Sequence, residues 1–370
     1  MPLGDTDADF LMRALRLAEK GRGHTRPNPP VGAVIVKGGK IIGKGWHKRC
    51  GGDHAEVAAI KDALKNTSTS TVRLRSSPSP LKGASLYVTL EPCSKPGRVG
   101  ACTDAIIAAG LKRVVYGSVD PNPKNRGRAK RVLSRAGIVC EQIDSEKVIR
   151  VCDHLIRGFQ KHVTTGMPYV TVKIAMSLDG KICDDYGNAR WISSAKSRKE
   201  TGYLREWVDA IMVGAETVRK DNPSLLSHGK RNDDLIRVVV TRSGRLPKNA
   251  QIFTDGAPNE TRVFRVGRVV SGTKVPADTK VPADPRVSTG SKDPIVARNL
   301  KDVLRQLGKA GVMHVLCEGG LQLARSLAEA GLVDEWITVL APKVIGSRRI
   351  GKAVTIPRTS VMPDNGVALR

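Results

Sequence analysis

The run Gly52-Asp53-His54-Ala55-Glu56, followed by Thr89-Leu90-Glu91-Pro92-Cys93 and, nine positions on, by Cys102, decides how this chain is read. Residues 53–64 carry helical spacing, with Asp53 placed to cap the first turn. Residues 84–90 read as a strand and 102–109 as a helix. His54 and Cys102 therefore each open a helix, and Cys93 follows a strand. One imidazole and two thiolates form a three-ligand set for zinc, with a fourth position left for water. Helix N-termini favour the thiolate forms through the backbone dipole. Zinc bound in this way lowers the pKa of its water to roughly 7. Glu56, two residues beyond His54, is close enough to reach that water without binding the metal, and it suits a proton shuttle. A closed structural zinc site, or ordinary core residues, would account for any single piece. Their order and their placement on these elements favour a catalytic centre.

Outward from these ligands, the first half alternates helices and strands. Residues 9–20 place Phe10, Ala14, Leu17 and Ala18 at helical spacing, and Gly21 and Gly23 end the run. Residues 31–36 and 41–46 read as a hairpin about Gly38-Gly39. Residues 66–80 are rich in Ser, Thr, Arg and Pro and read as a surface loop. A strand at 113–117, a helix at 128–136 and a strand at 138–140 follow. A hairpin followed by strand–helix units predicts a mixed sheet covered by helices. A charged helical stretch at 145–162 leads to Gly166-Met167-Pro168. The expected organisation is a metal-dependent domain at 1–148, a linker at 149–166 and a second α/β domain at 167–370. In that second domain strands are expected at 169–175, 210–213, 236–240, 312–316 and 335–340. Helices are expected at 197–207, 300–307 and 321–330. Residues 254–294 hold many Gly, Pro and Asp residues and a near-duplication, Lys274-Val275-Pro276-Ala277-Asp278 and Lys280-Val281-Pro282-Ala283-Asp284. They read as a variable surface insertion rather than a repeat array.

The 370 residues fit two compact domains. The net charge of +27, from 62 Lys+Arg against 35 Asp+Glu, favours anionic partners such as phosphorylated metabolites, dinucleotides, nucleic acid or anionic lipid. It is spread along the chain, and a solvated basic surface is an equal reading. Aromatic residues make up 4%, which argues against a stacking platform for single-stranded nucleic acid. No apolar run is long enough to span a bilayer. Residues 1–10 are acidic and lack the layout of a secretory signal, so a cytoplasmic protein is expected. Seven cysteines at irregular spacing do not suggest a disulfide framework. Cys50, Cys140, Cys152, Cys183 and Cys317 read as core or incidental thiols.

His-x-Glu with Pro-Cys and a second Cys is the signature of zinc deaminases acting on nucleobases. Beyond that signature the chain resembles the bifunctional riboflavin-biosynthesis deaminase/reductase family. The likeness rests on Asn28-Pro29-Pro30-Val31-Gly32-Ala33-Val34-Ile35-Val36, Gly52 to Glu56, Thr89 to Cys102, and Pro121-Asn122-Pro123 after Asp120. The wide Cys93–Cys102 spacing matches that family; other nucleoside and RNA deaminases usually place the two cysteines three positions apart. In the second half the likeness rests on Lys173-Ile174-Ala175-Met176-Ser177-Leu178-Asp179-Gly180-Lys181-Ile182, Trp191-Ile192-Ser193, Asp209-Ala210-Ile211 and Val213-Gly214. Thr217, Asp221, Pro223, Leu225, Glu318-Gly319-Gly320 and Ala341-Pro342-Lys343 complete it. It covers almost the whole chain apart from the loops near 66–80 and 254–294.

The resemblance implies a cytidine-deaminase-like α/β/α layered domain with a mixed sheet. A C-terminal α/β domain, similar in fold to dihydrofolate reductase and using NADPH, would follow it. It implies metal ligands His54, Cys93 and Cys102, with Glu56 and Lys173 in catalytic roles. Substrate contacts would come from Asn28, His47, Lys95, Arg98, Asp120, Asn122, Ala189, Arg205, Leu225, His228 and Glu318. Cofactor contacts would come from Ala175, Trp191, Thr217, Asp221, Arg242, Gly319, Gly320 and Leu321. The implied partners are phosphoribosylaminopyrimidine substrates and NADPH, with no nucleic acid or membrane, in a homo-oligomer. Glu318-Gly319-Gly320 lies between a strand and a helix, where small residues let a phosphate approach the first backbone N–H groups; by itself it is equally a tight turn. Lys173 in so apolar a strand calls for a polar partner, or reaches solvent from the strand end.

The chain departs from the family pattern at Lys95, where His is common, and at Val99-Gly100-Ala101, in place of Thr-Pro-Pro. It departs again at Ala189 for Ser, His228 for Arg, and Thr241-Arg242 for Asp-Ser. A deaminase with a degenerate reductase domain is therefore one alternative. A zinc nucleic-acid deaminase is a second, and a non-catalytic zinc-stabilised binding protein a third.

Overall fold

The computed structural model describes residues 6–67, 79–95, 100–184, 186, 192–227, 234–257, 259–267, 294–346 and 354–355. It separates into two units, Met1–Gly166 and Met167–Arg370.

The first unit runs α1 (Asp7–Ala18), β1 (Gly32–Lys37), β2 (Lys40–Trp46), α2 (Ala55–Thr67), β3 (Ser85–Leu90), α3 (Cys102–Ala109), β4 (Arg113–Ser118), α4 (Arg128–Arg135), β5 (Val139–Gln142), α5 (Glu146–Leu155) and α6 (Arg157–Thr165). The five strands form one sheet in the order β2-β1-β3-β4-β5. β1 pairs antiparallel with β2 and β3, whereas β3–β4 and β4–β5 are parallel, so the sheet is mixed. Strand alternation sends Ala33, Ile35, Leu86, Val88 and Val114 to a core shared with α2, α3 and α4. It sends Val34, Val36, Tyr87 and Val115 to a second core shared with α1 and α5. Both faces are thus covered by helices. The Thr6 and Asp9 side chains close a reciprocal capping box at the start of α1.

Glycine decides how close α2 lies to the sheet. A Cβ on Gly45 would sit 2.3 Å from the Ala59 nitrogen and 2.4 Å from the Ala55 oxygen. Only a bare Cα at this place in β2 lets the first turns of α2 lie against the strand. Residues 149–166, set apart as a linker within a stretch expected to be helical, carry the end of α5 and all of α6. Cys152, Leu155 and Ile156 belong to the core beneath α1.

The second unit runs β6 (Tyr169–Ser177), α7 (Ala195–Gly202), β7 (Ala210–Gly214), α8 (Ala215–Asp221), β8 (Ile236–Thr241), α9 (Gln251–Thr254), β9 (Thr261–Val266), β10 (Ile295–Ala297), α10 (Leu300–Lys309), β11 (His314–Cys317), α11 (Leu321–Glu329) and β12 (Glu335–Ala341). A short ribbon, β13 (Lys343–Val344) with β14 (Val354–Thr355), follows. Seven strands form a sheet in the order β10-β9-β8-β7-β11-β6-β12, and every adjacent pair is parallel. Continuous apolar runs such as Ala210 to Val213 are buried on both faces, as a parallel sheet requires.

Residues 261–266, taken as part of a surface insertion, form β9, with Phe264 only 1% exposed in the core. Arg262 hides the strand in the sequence, because its charge is neutralised locally by Glu260 at 2.6 Å rather than by solvent. The duplicated stretch at 274–284 lies outside the described residues.

Candidate functional site

In the first unit three ligand atoms converge. The Nδ1 atom of His54 lies 3.2 Å from Cys102 Sγ and 3.6 Å from Cys93 Sγ, and all three donors lie within 4.8 Å of one another. A tetrahedral zinc with bonds of about 2.0–2.3 Å separates its ligand atoms by about 3.5–3.8 Å, so the donor set fits that ion in spacing and in chemistry. Each ligand is placed by an element end. The His54 carbonyl accepts the Ala58 N–H of α2, Cys102 opens α3, and Cys93 follows β3. The Cys102 backbone N–H donates to Cys93 Sγ at 3.3 Å. The Cys102 side chain, that N–H and His54 together lower the Cys93 pKa, whereas the Cys93 sulfur raises that of Cys102.

Glu56 is 4% exposed. Burial pushes its carboxyl up to about 7, with the charge on Cys93 adding to the rise. A carboxyl held near neutrality takes and returns a proton with little driving force lost either way. His47, 2% exposed, lies edge-on to His54 with ring centroids 5.3 Å apart. Its Nδ1–H donates to the Asp53 carbonyl at 2.9 Å, and its Nε2 accepts from Asn28 Nδ2 at 3.1 Å. Burial lowers its pKa, which agrees with a neutral ring making both bonds.

Asp120 and Asn122, expected at the substrate, lie in a loop tied together by their own polar groups. The Asp120 carboxylate accepts from Asn125 Nδ2 at 2.6 Å and from the Asn122 N–H at 2.8 Å. Asn125 Oδ1 in turn accepts the Ser94 N–H at 2.8 Å, directly after Cys93. Glu91, also buried, accepts the N–H groups of Asp120, Gly127 and Ala129 at 3.0–3.2 Å. Sequence reasoning missed both Glu91 and Asn125 as supports of the metal loop. The only signal was that Glu91 directly precedes Pro92-Cys93. Lys95 is exposed, and Arg98 lies outside the described residues.

In the second unit Lys173 on β6, Arg205 after α7 and Glu318 after β11 come together. Glu318 lies 3.1 Å from Lys173 Nζ, and Arg205 donates to both carboxylate oxygens at 2.9 and 3.2 Å. Burial by itself would raise the Glu318 pKa. The Arg205 and Lys173 charges outweigh burial and hold it at about 2. Beside this cluster the C-terminal ends of β7 and β11 approach closely. A Cβ on Gly319 would meet the Leu323 side chain at 3.0 Å and the Gly214 nitrogen at 3.4 Å, and one on Gly320 would lie 3.9 Å from Thr217 Oγ1. Gly320 caps α11, and Leu321, its first residue, is exposed. Bare backbone at a helix start leaves its first N–H groups open to close approach by an anionic group.

Ala175 is half-buried on β6, and Asp221 and Arg242 are exposed at the ends of α8 and β8. Leu225 is 2% exposed within a core that includes Val213 and Val218, so any contact it makes with a ligand falls to its backbone. Ala189, Trp191 and His228 lie outside the described residues. A cavity of about 350 Å³ lined by Ser243, Gly244, Arg245, Arg265 and Pro294 lies at the ends of β8 and β9.

Comparison with known proteins covers both units. Residues 5–118 match the cytidine and deoxycytidylate deaminase zinc-binding region, and residues 168–357 match the RibD C-terminal domain. The riboflavin biosynthesis protein RibD of Escherichia coli is 35% identical over 367 residues, spanning 97% of this chain and 93% of its own length. That of Aquifex aeolicus is also 35% identical, over 92% of this chain and 88% of its own. Among solved structures, a diaminohydroxyphosphoribosylaminopyrimidine deaminase/5-amino-6-(5-phosphoribosylamino)uracil reductase from Thermotoga maritima superposes with a TM-score of 0.76 at 33% identity, covering 96% and 93% of the two chains. RibD of Acinetobacter baumannii superposes with a TM-score of 0.74 at 32% identity, covering 92% and 88%.

Proposed function

The chain belongs to the RibD family of riboflavin-biosynthesis deaminase/reductases, and from that premise we propose which reaction each site performs and with which residues. The first unit deaminates 2,5-diamino-6-(5-phosphoribosylamino)pyrimidin-4-one. His54, Cys93 and Cys102 would hold zinc, which would supply an acidified water as the nucleophile. Glu56 would accept the nucleophile's proton and return it to the ring nitrogen and the leaving amine, so that ammonia departs. Asn28 and His47 contact the pyrimidine, and Lys95 and Arg98 meet the substrate phosphate. The observation that carries this reading is the convergence of three zinc-type donors beside an unligated, buried carboxyl tuned near neutrality.

The second unit reduces the ribosyl group of the deaminated product to ribityl, and NADPH would supply the hydride there. Lys173, Arg205 and Glu318 position the substrate. Gly319, Gly320 and Leu321 receive the cofactor phosphates at the start of α11, flanked by Thr217. Two features favour NADPH over NADH. Arg242 is exposed at the end of β8, and the neighbouring cavity presents Arg245 and Arg265, whose guanidinium groups have no partner among the described residues. A cytoplasmic setting suits the free thiols and the phosphorylated substrates. No described helix is long and apolar enough to cross a membrane.

The test is mass-resolved product analysis with the diaminopyrimidine substrate, with and without NADPH. The expected result is the deaminated product without NADPH and the ribityl product with it. Arrest at the deaminated product in both cases would leave only the first activity standing.

A further inference from the structure

Arg237 is a cation in the middle of a parallel sheet. It sits on β8 at 2% exposure. Its Nη1 lies 2.5 Å from Asp255 Oδ2 and also donates to the Ser224 carbonyl at 3.1 Å; its Nη2 donates to the Asn259 carbonyl at 3.1 Å. Its Nε is buried with no partner among the described residues. Replacing both partners of a buried ion pair by apolar residues is often neutral or stabilising, so the pair's burial is weak evidence for a purely stabilising role.

What the guanidinium holds is a strained loop. Leu225 follows Ser224 with φ at +58°, a left-handed conformation that strains a non-glycine residue. The carbonyls on its two sides are both fastened by arginines. Arg237 takes the Ser224 carbonyl, and Arg205 Nη1 takes the Leu226 carbonyl at 2.9 Å. Arg205 is the residue that grips Glu318, which also holds Lys173. The chain of contacts runs from Asp255 through Arg237, across Leu225, to Arg205 and the candidate reductase cluster.

We propose that Arg237, anchored by Asp255, is a positioning residue for the reductase reaction. It holds residues 224–226 in their left-handed bend so that Arg205 meets the phosphoribosyl substrate in register. The proposal rests on the reductase reading given above. Without Arg237, Leu225 relaxes toward negative φ, the Leu226 carbonyl turns away, and Arg205 loses the contact that sets its orientation relative to Glu318.

The test uses the full chain carrying Arg237→Met, Arg237→Lys or Asp255→Asn, assayed for both activities. Wild-type reduction of the deaminated substrate tests the reductase reading itself; the variants test the proposal. KM for that substrate is expected to rise by about tenfold or more in R237M, with kcat changed much less, because ground-state alignment is what is lost. R237K keeps the charge but not the fork and recovers part of the loss; D255N falls in between. Deaminase constants stay at wild-type values in all three, which reports that the chain is otherwise intact. Unchanged reductase KM in R237M and R237K, whatever their melting temperatures, overturns the proposal. So does loss of folding of the second unit in both, since that assigns Arg237 to stability alone.

Discussion

Glu56 and Glu318 are both carboxylates removed from water, and their neighbours drive them in opposite directions. At Glu56 burial dominates and the carboxyl rises to about 7. Replacing it by Gln keeps shape and removes the titrating proton. Deaminase kcat is therefore expected to fall by about 10²–10⁴, while zinc, measured by metal analysis, stays stoichiometric. A variant that deaminates at the wild-type rate would refute the shuttle. At Glu318 two cations overcome burial, and the folded pKa of about 2 lies below the ordinary 4.5. A depressed pKa means that the unfolded state binds the proton more readily. The contribution to stability is full above pH 4.5 and is lost as pH falls toward 2. Urea midpoints of the second unit should drop across that window. A midpoint flat from pH 6 to 2.5 would show that the three charges are not coupled as described. The ligands His54, Cys93 and Cys102 were legible because their spacing is itself chemical information. The bonds of the Asp120 carboxylate to Asn125 and to the Asn122 backbone were not legible, because they are a fact of loop geometry.

The approach of α2 to β2 sets the reach of His54. Gly45→Ala puts a methyl 2.3–2.4 Å from backbone atoms of α2, and backbone cannot yield as a side-chain tip does. The expected cost is about 1–3 kcal/mol, accompanied by weaker zinc binding, because the shifted helix carries a ligand. Chemical denaturation and competitive chelation would measure the two effects. Wild-type values for both would mean that the helix slides without consequence. Most strands of the parallel sheet were readable as apolar runs. β9 was not, since Thr261-Arg262-Val263-Phe264-Arg265-Val266 mixes cations with apolar residues, and only pairing with β8 and β10 makes a strand of it.

At the scale of the molecule, each unit has its own cores, and the metal ligands lie wholly within the first. Removing zinc with a strong chelator should abolish ammonia release and lower the first unit's thermal transition. NADPH oxidation with the deaminated substrate should continue. Parallel loss of both activities would show that the second site depends on the metal.

From the sequence alone came the two α/β units, the zinc ligands with their carboxyl, and the resemblance that points to the family. All of these are local matters of spacing, periodicity and residue type within short windows. The tertiary structure decided which polar groups meet across long separations: Lys173 and Arg205 on Glu318, Asn125 on Ser94, Arg237 on the Ser224 carbonyl. A buried charge must find its counter-charge or acceptor wherever the packed chain brings one, and no rule of sequence spacing encodes that meeting.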